Sequence, residues 1–133
     1  MTPAELSALH RQCFTLAPRP WSADEFSALI ASPGAFLLVR GQGFLLGRVI
    51  LDEAELLTLA VASQARRQGL GRTLAEAFAA TSRRKHAETA FLEVAESNHS
   101  ARALYGRLGW CEAGRRPQYY GPGLDALILK LAL

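Results

Sequence analysis

Residues 66–71 read Arg-Arg-Gln-Gly-Leu-Gly, between the apolar run "LLTLAV" and a segment whose apolar residues recur at helical spacing. A glycine-rich turn from a strand into a helix can aim several backbone N–H groups, and the positive helix end, into one small concavity. Gly69 and Gly71 carry no Cβ, so a bulky anion can approach the backbone closely. Such a nest suits a phosphate, and Arg66 and Arg67 beside it suit a diphosphate. The stretch is not a P-loop, which needs a terminal Gly-Lys-Ser/Thr. It is not a dinucleotide fingerprint either, because a third glycine and a suitably spaced acidic residue are missing. On the residues alone, an ordinary tight strand–helix turn is an equal alternative.

Three further side chains could do chemistry, each with a plain structural reading beside it. Glu93 interrupts the apolar run "FLEVA". It is either a strand glutamate in a salt bridge or a general base. Tyr105 falls on the apolar face of a helix, as a core tyrosine or as a proton donor. Asn98 stands where a helix cap is needed and could equally touch a ligand. His10, His86 and His99 share no metal-ligand spacing, and Cys13 and Cys111 are far apart, so no metal is expected.

The elements that must position these residues follow from capping and periodicity. "TPAE" at 2–5 and "SADE" at 22–25 are capping boxes, so two short helices open the chain. Pro33-Gly34 ends the second. From Ala35, apolar stretches broken at "RGQG" and at Asp52-Glu53 give three antiparallel strands. The third, about 54–62, is apolar nearly throughout, as in a central strand covered on both faces. Leu70, Leu74, Ala77, Phe78 and Thr81 then mark a helix, and 89–95 a strand. Ala101, Leu104, Tyr105 and Leu108 mark a second helix stopped by Gly109. Two strands near 110–117 and 125–132 flank the turn "YYGPG". The order ααβββαβαββ makes residues 1–133 one mixed α/β (α+β) domain.

Composition narrows the function classes. Half of the 133 residues are hydrophobic, a fifth are charged and the formal charge is +3, an ordinary globular balance. The basic residues Arg66, Arg67, Arg72, Arg83, Arg84 and Lys85 have no aromatic residues interleaved, so nucleic-acid binding is not expected. The N-terminus lacks a signal-peptide pattern, and no apolar run is long enough for a membrane span. Two free thiols suit a cytoplasmic location. No oligomeric state is specified.

Taken in order, "LLTLAV", "RRQGLG" and "LEVAESNHSARALYGRLGW" resemble the GNAT superfamily of acyl-CoA-dependent N-acyltransferases. There, Q/R-x-x-G-x-G/A is the loop that cradles the acetyl-CoA pyrophosphate. The nearer resemblance is to RimI-type ribosomal-protein-alanine N-acetyltransferases. It runs from "PWSADEF" at 20–26, through "VILDEAELLTLAV" at 49–61 and "LEV…SN…ALYGRLGW", to "RRPQYY" at 115–120. It implies a GNAT fold, a mixed and mostly antiparallel sheet flanked by helices, whose strands at 54–62 and 89–95 splay apart. It also implies acetyl-CoA as co-substrate, held by Leu59, Ala60, Val61, Arg66, Arg67, Gln68, Gly69, Leu70, Gly71, Arg72 and Asn98. Glu93 would be the general base and Tyr105 the general acid. The acceptor would be the α-amine of a protein N-terminus, that of a ribosomal protein in the RimI-type enzymes, attacking directly in a ternary complex. A covalent acetyl-cysteine is not expected, because neither cysteine lies in the motif segments.

The acceptor chemistry is modest in cost. Deprotonation at pH 7 costs about 1–1.4 kcal/mol for an α-amine and roughly 4.6 kcal/mol for a lysine. One departure bears on the acceptor. Only "GPGL" separates Tyr120 from Asp125, where RimI-like enzymes usually have a longer, more polar turn. A lysine, a small amine or an aminoacyl group is therefore the alternative acceptor. A non-catalytic acyl-CoA-binding module should lack a carboxylate at 93 and a phenol at 105, and both are present.

Overall fold

Capping sets where the first two helices begin. In the computed structural model, which describes residues 1–14 and 19–133, the Thr2 hydroxyl accepts from the Glu5 N–H at 3.2 Å. Glu5 Oε1 accepts in return from the Thr2 N–H at 3.0 Å, and α1 spans Pro3–Cys13. Ser22 and Glu25 repeat the exchange at the start of α2, Ala23–Ile30. The strands β1 (Ala35–Arg40), β2 (Gly43–Ile50) and β3 (Glu53–Val61) follow. Then come a short 3₁₀ turn at Ser63–Ala65, α3 (Leu70–Arg84), β4 (Thr89–Ala95), α4 (His99–Arg107), β5 (Cys111–Arg116) and β6 (Ala126–Ala132). The element order is the expected one, with the 3₁₀ turn added.

The six strands form one sheet in the order β1-β2-β3-β4-β6-β5. All neighbours are antiparallel except β3 and β4, which pair in parallel. Phe26, Phe44, Leu46 and Leu6 form the core under α1 and α2. Leu45, Leu56, Leu74, Phe78, Leu92 and Tyr105 belong to the larger core, to which α3 and α4 contribute. Each fully buried side chain of this kind contributes roughly 1.5–3 kcal/mol relative to exposure.

The central strand departs from the sequence expectation in one instructive way. Glu53 and Glu55 are exposed, so only the part of β3 from Leu56 onward is covered on both faces. Leu46 pairs with Thr58 but Gly47 with Leu56, leaving Leu57 as an extra residue on β3. This bulge reverses the strand's phase. Ala54 and Leu56 lie in the larger core, and so do Leu59 and Val61 beyond the bulge, whereas Leu57 and Ala60 pack with the other core.

The bulge falls where β3 and β4 part. Their parallel ladder runs from Glu53↔Thr89 to Leu56↔Leu92 and stops there, so Leu57–Val61 and Glu93–Ala95 diverge. Added local twist is what a bulge supplies. The expected splay of the two central strands is present.

Candidate active site

The diverging strands open a cleft of about 1000 Å³. Its β3 wall is backbone. Ala62 N–H donates to the Gln42 carbonyl, which fixes the alternation of the antiparallel ladder. Thr58 and Ala60 then direct their N–H and C=O toward β2, while those of Leu59 and Val61 point into the cleft. The Val61 carbonyl is already engaged. It accepts from Cys13 Sγ at 3.3 Å and from Arg66 Nε at 3.3 Å.

Below this wall lies the glycine-rich turn. From Arg67 to Arg72 no backbone N–H has a hydrogen-bond partner among the described residues; the first helical bond is Thr73 N–H to the Gly69 carbonyl. Arg67 and Gly69 are both left-handed, at φ 65° and 76°. For Gly69, the cap of α3, this is free. For Arg67 it costs of order 1 kcal/mol, a strain that tends to gather at ligand-binding turns. Gly71 has a different task. A Cβ there would lie 3.3 Å from Leu104 Cδ2, so this glycine lets α3 begin against α4.

The three arginines of the turn are not equivalent. Arg66 is turned toward Val61 and Cys13, and Arg72 pairs with Glu76 at 3.1 Å. Arg67 makes no ion pair or side-chain hydrogen bond among the described residues, and it lines the cleft. Gln68 is exposed and does not line it. Leu59, Ala60, Val61, Arg66, Arg67, Gly69, Leu70, Gly71, Arg72 and Asn98 all do.

The β4 wall carries side chains. Leu92 and Val94 face the larger core, so Glu93 between them points to the opposite face, with its side chain 32% exposed. Its Oε1 meets Arg116 Nη2 at 3.1 Å, and the Arg116 guanidinium lies 5.2 Å from the Tyr119 ring centre. Tyr120 belongs to the same group. Burial, and then the nearby Glu93 carboxylate, push its phenol up to about 12. Tyr105 approaches from the other face, where it packs edge-on to Trp110 at 5.8 Å. Its phenol lies in the cleft wall, and burial pushes it well above the ordinary tyrosine range. Asn98 caps α4, accepting from the Ala101 N–H at 3.2 Å and from the Ser100 hydroxyl at 3.3 Å.

Sequence reasoning missed Cys13, which lies at the cleft rather than away from the site-building segments. The end of α1 packs across the exit of β3, a contact no local motif announces. It also missed Arg116 and the Arg115 cluster. There Arg115 Nη1 bridges Glu96 at 2.7 Å and Asp125 at 2.9 Å, and Asp125 accepts the Gln118 N–H, tying the short 117–125 turn to the end of β4. Among the described residues no group of three or more His, Cys, Asp or Glu could hold a metal ion. No helix among the described residues is long and apolar enough to cross a membrane.

Comparison with known proteins places this geometry. The model of the acetyltransferase (GNAT) family matches residues 4–110. A Bacillus subtilis relative, named provisionally as a ribosomal protein bS18-alanine N-acetyltransferase, is 35% identical over 83% of this chain and 78% of its own. The Escherichia coli ribosomal protein bS18-alanine N-acetyltransferase is 44% identical over 68% of this chain, a match that spans 63% of the relative. A crystal structure of the ribosomal-protein-S18-alanine N-acetyltransferase from Escherichia coli superposes with a TM-score of 0.86 at 31% identity, covering 98% of this chain and 86% of that one.

Proposed function

The chain belongs to the acetyltransferase (GNAT) family, and on that premise we propose that it transfers an acetyl group to the α-amine of a protein N-terminus, with an N-terminal alanine of a ribosomal protein as the favoured acceptor. One observation carries the reading. The glycine-rich turn, whose N–H groups have no partner among the described residues, the edge of β3 beyond its ladder with β4, and the side chains of Glu93 and Tyr105 all border one cleft.

Acetyl-CoA is the co-substrate and supplies the acetyl group as a thioester. The residues fit such a molecule. Arg67 and the free amides of the turn suit its pyrophosphate, and the edge of β3 suits its amide-bearing arm. The Leu59 N–H can donate to the thioester oxygen as charge develops there, which is the most effective place for a fixed donor.

Glu93 takes one proton from the acceptor ammonium, directly or through a water, and leaves a neutral amine to attack. Arg116 fixes the direction of the Glu93 carboxylate. Tyr105 gives one proton to the departing sulfur and is restored by the second proton that the attacking nitrogen sheds as the amide forms. Glu93 passes its proton to solvent, so that each turnover releases one proton net. Its buried phenol holds that proton until a thiolate forms beside it. A single carboxylate suits an α-amine better than a lysine, whose deprotonation costs roughly 3 kcal/mol more at pH 7.

The test is acetyl-CoA turnover against two short peptides, one with a free N-terminal alanine and one with a blocked N-terminus and an internal lysine. The free N-terminus should be strongly preferred. Preference for the lysine peptide, or turnover of neither, would overturn the reading.

A further inference from the structure

His10 is fully buried on α1, and both of its ring nitrogens are used. Nδ1 accepts from the Trp21 N–H at 3.0 Å, so Nε2 carries the proton and donates to the Thr58 hydroxyl at 3.1 Å. The ring is enclosed by Phe14, Trp21 and Phe26 at 4.5–5.4 Å between centres. Burial holds the imidazole neutral, at about 4, which keeps this tautomer in place across the working pH range.

Thr58 is the residue directly after the bulge. If Leu57 were paired and the bulge absent, Thr58 would turn to the face of the larger core, and its hydroxyl and the His10 N–H would both be buried without partners. Each orphaned group would carry its full desolvation penalty with no bond to offset it. The bulged phase is therefore the one in which the pair is satisfied. Beyond it, the same end of α1 is fastened to the last residue of β3, by Cys13 Sγ to the Val61 carbonyl, and to the 3₁₀ turn that follows, by Gln12 Oε1 accepting from the Ser63 N–H at 2.9 Å.

We infer that His10, acting through Thr58, is a positioning residue that locks the bulge of β3 in register and so aims the Leu59 and Val61 backbone into the cleft. The role rests on the proposed acetyl transfer for its kinetic consequence, but not for its structural one. His10 touches no reacting atom.

Three variants and two readouts test this. Thr58→Val keeps the shape and removes the acceptor, Thr58→Ser keeps the hydroxyl, and His10→Gln cuts the same link from the other side. Thr58→Val should lower kcat with an alanine-terminated peptide by about tenfold, since small misplacements of a fixed donor are costly. It should also speed amide hydrogen exchange across residues 57–61 while leaving 53–56 protected. Thr58→Ser should restore both, His10→Gln should match Thr58→Val, and the double variant should lose no more than either single one. Wild-type kcat and exchange in Thr58→Val would overturn the inference. So would equal impairment of Thr58→Val and Thr58→Ser, which would make side-chain shape the cause. If Thr58→Val fails to fold, the comparison of His10→Gln with Thr58→Ser decides on the same two readouts. Should the wild-type chain turn over neither peptide, the acetyl-transfer reading fails, and the exchange data still judge the lock.

Discussion

The two walls of the cleft are built in opposite ways. The β3 wall offers backbone groups, held from behind by a bracket: the buried pair His10 and Thr58 and, nearer the surface, Cys13 and Gln12. The β4 wall offers side chains, and Glu93 among them is held only by a half-exposed ion pair with Arg116. A backbone donor has no rotamer to lose, so its placement is as good as the strand's register. A side chain on a strand can be replaced, re-aimed or repurposed without touching the fold. The difference suggests that the β3 wall serves the part of the reaction common to the whole family. On the proposed function, Glu93 and the 117–125 turn then serve the acceptor.

That contrast can be broken most sharply from behind the β3 wall. Burial lowers the His10 imidazole from its ordinary 6.5 to about 4. The unfolded chain therefore binds a proton between pH 6.5 and 4 that the folded chain does not. His10's neutral state stabilises the fold fully above about pH 6.5, and that contribution is lost as the pH falls toward 4. Its size is on the order of 3 kcal/mol. Urea midpoints at pH 7.5 and 4.5 should fall steeply for the wild type, and the His10→Gln variant should lose much of that slope. Equal slopes would remove His10 from the account.

At Glu93 on the β4 wall and at Tyr105 on α4 the expected effects are on rate and not on folding. Glu93→Gln should lower kcat by about 100-fold, the low end of what a positioned base contributes. Tyr105→Phe should lower it by about tenfold, because water can protonate a thiolate less efficiently in its place. Single-turnover kinetics distinguishes these from slow product release. The smallest effect belongs to the turn. Arg67→Ala should weaken CoA binding by roughly threefold, since an exposed cation contributes little beside fixed amides.

Much of the fold was legible, and the reasons are local. The two capping boxes, the Pro33-Gly34 stop and the helical spacing after Leu70 each report on a few adjacent residues, and each proved correct. The glycine turn was legible because positive φ at Gly69 and close approach at Gly71 demand glycine, and at Gly71 the close neighbour the structure shows is Leu104 of α4. What was not legible is long-range. Nothing in "ELLTLAV" marks Leu57 as a bulge, because the run is apolar on either side of it. The insertion of β6 between β4 and β5 is likewise a property of the whole sheet. Thr58 in an apolar run, with a histidine on the apolar side of α1, was the available hint of the bracket. By pattern Glu93 and Tyr105 read first as structural residues, and their candidacy came from the family resemblance.

On the proposed function, cofactor binding at the glycine-rich turn and proton transfer at Glu93 are separable. The most direct test measures the CoA Kd by calorimetry and kcat by initial rates on the same preparations of wild type, Glu93→Gln and Arg67→Ala. A crossed pattern is expected, with Glu93→Gln changing kcat and leaving Kd within about twofold, and Arg67→Ala changing Kd and leaving kcat near wild type. If Glu93→Gln weakens CoA binding as much as it slows turnover, the two walls are one site and the division drawn here is wrong.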